Sequence, residues 1–215
     1  MILITGGSGE VAQQVALKLL EAKQSIRIYG RGDVNESPLL NYFEKVDNYN
    51  NLNIDQRADA LLVTNGSFIF KNFEEMSESE IGHLISSNLD SVIKVIWQFL
   101  RKTNINSPRD IFVIGSTAAY DLGPKAAVYG ACKLALKGLL QSLNKEYQQS
   151  DTRFSFISFS TVDNSMGRLV PDQVTPTLLN IQDVSAEIAN RILRRKNYYE
   201  PEVILRRRFI QEHKK

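Results

Sequence analysis

Tyr129 and Lys133 lie four positions apart in the run AVYGACKLALKGLL, which follows a polar turn and reads as a long helix beginning near Ala126. On a helix that spacing stacks a phenol and an ammonium one turn apart on a single face. A free tyrosine ionises near pH ~10, and a fixed cation beside it stabilises the phenolate and lowers that value, which suits the pair to moving a proton near neutrality. Ser116 stands thirteen positions before Tyr129, where the apolar strand Ile111 to Ile114 runs out, so its hydroxyl can meet the same substrate oxygen. Tyr-x-x-x-Lys alone also fits a half-buried tyrosine beside a solvated lysine. A second feature has to decide between the two.

That feature sits at the other end of the chain. Residues 1–12, MILITGGSGEVA, read as a short apolar strand, a turn holding Gly6, Gly7 and Gly9, and a helix whose Val11, Val15 and Leu19 recur at helical spacing. Strand, glycine turn and helix in that order form a dinucleotide cradle: glycine lets the backbone approach a pyrophosphate, and the helix N-terminus presents free N–H groups to it. The expected contacts are Gly6, Gly7, Ser8, Gly9, Glu10 and Val11. Joined to Ser116, Tyr129 and Lys133, this turn makes the chain resemble the short-chain dehydrogenase/reductase family.

The resemblance implies hydride transfer between a nicotinamide cofactor and a carbonyl or carbinol carbon. Tyr129 would move the hydroxyl proton and Ser116 would hydrogen-bond the substrate oxygen. Lys133 would hold the nicotinamide ribose and lower the Tyr129 pKa. Asn88 interrupts an apolar helix face made by Ile81, Leu84, Ile85, Leu89, Val92, Ile93 and Ile96, and on periodicity it is only an unusual helix residue. In the family an Asn at this place bends the helix and holds a water in a proton relay, which makes Asn88 the fourth catalytic position. Asn65 and Gly66, within Thr-Asn-Gly-Ser after the strand Ala60 to Val63, match the family's Asn-Asn-Ala-Gly in part and fall where it contacts the cofactor ribose. Phe159 and Ser160 replace the family's Pro-Gly and Asn164 stands at a Thr position, which leaves Val162 to serve the nicotinamide through its backbone.

The elements that must position these residues follow from the pattern. A second strand, Ser25 to Tyr29, ends in Gly30 and Arg31. An acid there binds a free ribose 2′-hydroxyl and a base accommodates a 2′-phosphate, so Arg31 favours NADP over NAD, with Asp33 the competing acid. Asp33 to Arg57 shows little periodicity; a short helix at Pro38 to Glu44, a third strand at Lys45 and Val46 and an adenine contact at Asp47 are expected, with the family's next helix trimmed. From Phe73 to Lys102 the pattern predicts one long helix with a Ser77-x-x-Glu80 capping box. Arg153 to Phe159 gives a sixth strand, Met166 to Asn180 a short substrate lid, Asp183 to Arg195 a helix and Glu202 to Leu205 a last strand. Alternating strands and helices specify an α/β fold, a doubly wound parallel sheet of Rossmann type with about seven strands and helices on both faces.

At 215 residues the chain suits a single domain, cofactor-binding to about residue 115 and catalytic beyond it. A formal charge of +2 argues for neither nucleic acid nor a membrane surface, and Arg206 to Arg208 with Lys214 and Lys215 read as a solvated tail. One cysteine, Cys132, and two histidines, His83 and His213, give no disulfide and no metal cluster, so metal-free chemistry is expected. With no long apolar run and a glycine motif at the very start, a cytoplasmic protein is expected. Phe68, Phe70, Tyr120 and Met166 should wall an apolar pocket for a small carbonyl or alcohol substrate. Pairing into a homodimer or homotetramer, as in the family, could use residues such as Trp97, Phe99 and Leu140, each of which fits the core equally well. Two other readings stay open. One is a non-catalytic dinucleotide-binding or sensor protein, supported by the departures at 64–67 and 159–164. The other is an epimerase or dehydratase of nucleotide sugars, toward which the spacing of Gly6, Gly9 and Ala12 leans.

Overall fold

The computed structural model describes residues 1–34, 37–171 and 178–206. Its strands are β1 (Ile2–Thr5), β2 (Ile26–Gly30), β3 (Phe43–Lys45), β4 (Ala60–Val63), β5 (Arg109–Ile114), β6 (Thr152–Phe159) and β7 (Glu202–Leu205). All seven pair in parallel in one sheet, ordered β3-β2-β1-β4-β5-β6-β7. The chain starts in the middle, runs out to β3, returns to β4 and continues to β7. That reversal between β1 and β4 opens a crevice at the carboxyl ends of the strands. Every residue of β1 and β4 is buried, as apolar runs such as Ile-Leu-Ile and Ala-Leu-Leu-Val require of strands covered on both faces.

One face is covered by α1 (Glu10–Glu21) and α5 (Ile181–Arg194), which bury Val15 and Leu19, and Ile188 and Ile192, against Ile4, Ile28 and Leu62. The other is covered by α3 (Ser91–Lys102) and α4 (Ala127–Glu146), which bring Val95, Phe99, Leu136 and Leu140 against Leu3, Leu61 and Val113. Phe99 and Leu140 are therefore core residues, 0% and 1% exposed, and not an outward surface; of the three residues expected there, only Trp97 is exposed.

The long helix expected from Phe73 is instead three pieces. A 3₁₀ turn at Phe73–Glu75 precedes α2 (Glu78–Ile85), which starts at the expected capping box, and a π-helical turn at Ser86–Asp90 joins α2 to α3. Side chains compete with the backbone at this join. Asn88 Nδ2 donates to Leu84 O at 3.0 Å, Ser87 Oγ to His83 O at 2.7 Å, and Ser91 Oγ to Ser87 O at 3.0 Å, which loosens the regular ladder and admits the wider turn.

The region of little periodicity holds a 3₁₀ turn at Ser37–Tyr42 in place of an α-helix, and β3 lies two residues earlier than expected. From residue 46 to 59 there is neither helix nor strand. Tyr49, Leu52 and Ile54 from this segment nonetheless pack into the core beneath α3. Residues 172–177 of the expected lid, and Arg207, Arg208, His213, Lys214 and Lys215 of the basic end, lie outside the described residues.

Candidate active site

Ser116 follows β5 and opens a 3₁₀ turn at Thr117–Ala119, its Oγ accepting the Ala118 N–H at 3.1 Å. The phenol of Tyr129, in the first turn of α4, feels that hydroxyl, which acts to lower its pKa. One helical turn on, Lys133 is only 4% exposed. Its Nζ sits 5.5 Å from the centre of the Tyr129 ring and donates to Ile114 O at 3.3 Å. Asn88 reaches the same place from the π-helical turn. A Cβ added at Gly66 would stand 2.7 Å from Asn88 Oδ1 and 3.6 Å from Lys133 Nζ, so both atoms converge on one small space that only glycine leaves free. Asn88 Nδ2 is bound to Ser67 O at 2.9 Å, while its buried Oδ1 has no partner.

Burial sets the electrostatics. It pulls the Lys133 ammonium down to about 8, with the neighbouring Cys132 opposing the shift. It also pushes the Tyr129 phenol above its ordinary value, and the Ser116 hydroxyl only partly offsets this. The lowering expected from Lys133 is not found in the protein alone: burial and the Ser116 hydroxyl set the shift of the phenol, and burial is the larger.

Ser116 and Tyr129 line a cavity of about 410 Å³ whose walls include Phe68, Phe70, Phe159, Met166 and Val170. Phe68 meets the Tyr129 ring edge-on at 5.0 Å and Phe70 at 6.3 Å. Tyr120, expected in this wall, is turned the other way. Lys137 Nζ lies 4.0 Å over its ring, and burial near Glu202 pushes its hydroxyl up to about 12. Among the described residues Asp121 is the one charged residue lining the cavity, and Arg206 pairs with it.

The glycine turn lies beside this cavity. Gly6 takes φ +77°, and a Cβ there would strike Thr64 Oγ1 at 2.4 Å, so the turn packs directly on the loop after β4. Gly7 serves packing rather than an open cradle, since its Cβ would collide with Ile28 Cγ2 at 2.0 Å. Ser8 Oγ accepts the Gly32 N–H at 3.3 Å, tying the turn to the end of β2. Gly9 caps α1 without any side-chain bond, which leaves N–H groups of the first turn, at Glu10 and Val11, open to an anion. The Glu10 carboxylate suits such an anion less well. It accepts the Ser165 N–H at 2.9 Å across the mouth of the site, so only its backbone fits a pyrophosphate.

Asn65 donates to Ser91 Oγ at 3.3 Å and keeps a buried Oδ1 unpaired. Val162 forms a parallel bridge with Leu179 in which the Leu179 N–H goes to Thr161 O and the Asp163 N–H to Leu179 O, so the Val162 N–H stays unused by the described residues. Arg31 is exposed, while Asp33 pairs with Lys45 at 2.6 Å. Open amide groups, unpaired amide oxygens and an exposed guanidinium fit a dinucleotide along this crevice. Among the described residues no cluster of three or more His, Cys, Asp or Glu could hold a metal, and no helix is long and apolar enough to cross a membrane. Sequence reasoning missed Tyr49, whose hydroxyl accepts the Gly6 N–H at 3.2 Å, and Gln98, which holds the Tyr49 backbone. Gln98 had a signal, a polar residue inside the apolar stripe Val95, Ile96 and Phe99; Tyr49 had none.

A family model described as short chain dehydrogenase matches residues 51–174. The chain belongs to the short-chain dehydrogenase family. It is 30% identical over 136 residues to 3-dehydrosphinganine reductase TSC10B of Arabidopsis thaliana, covering 60% of this chain and only 40% of that protein. It is 27% identical over 180 residues to an uncharacterized oxidoreductase of Staphylococcus epidermidis, covering 76% and 78% of the two. The alcohol dehydrogenase of Thermococcus sibiricus, solved with 5-hydroxy-NADP, superposes with a TM-score of 0.81 at 19% identity over 97% of this chain and 98% of its own.

Proposed function

We propose that this short-chain dehydrogenase is an NADPH-linked reductase of neutral, apolar carbonyl compounds, acting in reverse on the corresponding alcohols. The observation that carries this reading is the meeting of Ser116 and Tyr129 over buried Lys133 at the wall of an apolar cavity. When bound, a nicotinamide dinucleotide supplies the hydride for the carbonyl carbon. Ser116 Oγ, already accepting from Ala118, directs its own proton to the carbonyl oxygen and stabilises charge that develops there. Tyr129 gives that oxygen its proton. The raised phenol pKa keeps the proton in place at neutral pH, which is the form that reduction requires. Lys133, charged below about 8, stabilises the phenolate that remains and holds the ribose hydroxyls. Asn88 Oδ1 and Lys133 Nζ border the space beside Gly66 through which a water returns the proton.

Arg31 has no acidic partner among the described residues, whereas the competing Asp33 is drawn to Lys45, which favours a 2′-phosphate at the adenosine end. The NADP-type ligand of the Thermococcus enzyme is in keeping with this choice. An apolar wall with one paired acid at its rim favours an uncharged substrate. Two copies would pair along α3, where Trp97, 55% exposed beneath Arg101, and Ile93 remain uncovered.

Titration with NADPH and NADH, followed by nicotinamide fluorescence, tests the reading, with a panel of neutral ketones then screened for NADPH oxidation. NADPH is expected to bind more tightly than NADH and to lose that advantage in Arg31→Ala. If neither nucleotide binds at millimolar concentration, the reductase reading falls and a non-catalytic role takes its place.

A further inference from the structure

Tyr49 has no part in the chemistry described so far, yet it touches two places where a dinucleotide would be held. It is 6% exposed and sits in the stretch from 46 to 59, which has neither helix nor strand. Its hydroxyl accepts the Gly6 N–H at 3.2 Å, at the start of the glycine turn. The guanidinium carbon of Arg31 lies 6.0 Å from the centre of its ring. A segment without secondary structure does not by itself hold an aromatic ring in register, because its backbone has no ladder of its own. Gln98 supplies the missing partners. From the buried face of α3, its Nε2 donates to Tyr49 O at 2.7 Å and its Oε1 accepts the Leu52 N–H at 2.9 Å. Lys102 Nζ takes Leu52 O at 2.7 Å and the Tyr29 hydroxyl takes Asn53 O. The stretch is thus fastened to α3 and β2 at Tyr49, Leu52 and Asn53.

We propose that Tyr49, fixed by Gln98, is a positioning residue for the adenosine half of the cofactor. Its ring holds Arg31 where a ribose 2′-phosphate arrives, and its hydroxyl sets the Gly6 turn. A guanidinium stacked on an aromatic face loses less freedom on meeting a phosphate than one waving in solvent, so the ring sharpens the choice between 2′-phosphate and 2′-hydroxyl without touching either. This inference rests on the NADPH reading above.

The test is calorimetric titration with adenosine 2′,5′-bisphosphate and with AMP, which differ only in the 2′-phosphate; the ratio of the two affinities is the readout. Arg31→Ala is expected to lower that ratio roughly tenfold or more. Tyr49→Leu should lower it roughly three- to fivefold, and should lower it no further when combined with Arg31→Ala. Tyr49→Phe, which keeps the ring and loses the bond to Gly6, should weaken both ligands alike and leave the ratio in place. A ratio unchanged in Tyr49→Leu but lowered in Arg31→Ala overturns the role of Tyr49 and leaves the cofactor reading standing. An unchanged ratio in Arg31→Ala overturns both. Equal weakening of the two ligands in Tyr49→Leu marks a structural role only and also overturns the proposal. Should Tyr49→Leu not fold, Arg31→Lys tests the same contact from the exposed side: charge is kept, the planar face is lost, and an undiminished ratio is fatal to the stacking argument.

Discussion

At the carboxyl ends of the strands, Asn65 Oδ1, Asn88 Oδ1 and the hydroxyl oxygens of Ser158 and Ser160 are buried without partners. At the amino ends, charges are matched by charges: Asp59 meets the Met1 amino group and Arg195, each at 2.9 Å, and Arg195 faces Asp110 at 3.9 Å. Arg109, 1% exposed, directs Nε and Nη2 to Thr152 Oγ1 and Nη1 to Leu100 O. Both ends bury polar atoms, and the amino end has an orphan of its own in Arg195 Nε, which faces a carboxylate at 3.9 Å. An unpaired buried group costs about 1–3 kcal/mol, so a cluster of them at one end persists only because the surrounding sheet holds it and a ligand can use it. The charges at the other end join β1, β4, β5 and the end of α5, and they act on stability.

This contrast breaks first if Tyr129→Phe leaves turnover intact. Loss of its proton should lower NADPH-dependent reduction about 10²- to 10⁴-fold while the urea midpoint stays that of the parent. The converse variant at the amino ends is Arg195→Met, which leaves Asp59 with the Met1 amino group alone and removes the guanidinium facing Asp110. It should cost about 3 kcal/mol in urea unfolding and leave NADPH affinity unchanged; a fall in affinity comparable to the fall in stability would merge the two ends into one.

Asp110 sharpens the picture through pH. Burial, with Asp59 nearby, raises its carboxyl from 3.8 to about 6, and Arg195 only partly opposes the shift. Between those values the folded state binds more protons than the unfolded state, so stability from this group is present below about 4 and declines as pH rises through about 6. Asp110→Asn removes the decline. It should be neutral in acid and stabilising by up to ~2 kcal/mol above pH ~6, read from urea titrations across that range, and a variant less stable than the parent at pH ~8 would show that the Arg195 contact dominates instead. The smallest effect is expected at Asn65→Ala. Its one long bond to Ser91 makes the loss of stability about 1 kcal/mol or less, whereas nucleotide affinity should drop measurably in the same fluorescence titration.

Much of the fold and of the candidate site is legible in the sequence. The strands Ala60–Val63 and Glu202–Leu205 appear at the residues expected, α4 starts one residue from its expected position, and Ser77 and Glu80 form the anticipated capping box. Ser116, Tyr129 and Lys133 come together because a strand end and a helix start are local features with clear residue patterns. Asn88 was named by resemblance, and its π-helical turn was not foreseen, because the turn arises from Ser87, Asn88 and Ser91 bonding to backbone oxygens at once. Phe99 and Leu140 fit a pairing surface and the core equally well on sequence, and Tyr120 is expected in a wall it does not line, for a related reason: an apolar or aromatic side chain carries no mark of which neighbour it will meet.

The sequence alone determined the alternation of strands and helices, the glycine turn before α1 and the Ser-Tyr-Lys set, because each depends on residues within a turn or two of one another. Only the tertiary structure decided which groups are desolvated and which distant segments touch. The Tyr49 hydroxyl reaches Gly6 across 43 positions and Gln98 reaches the Tyr49 carbonyl across 49. The upward shift of Tyr129 is of the same kind, since burial is a property of the whole packed molecule that helical spacing does not reveal.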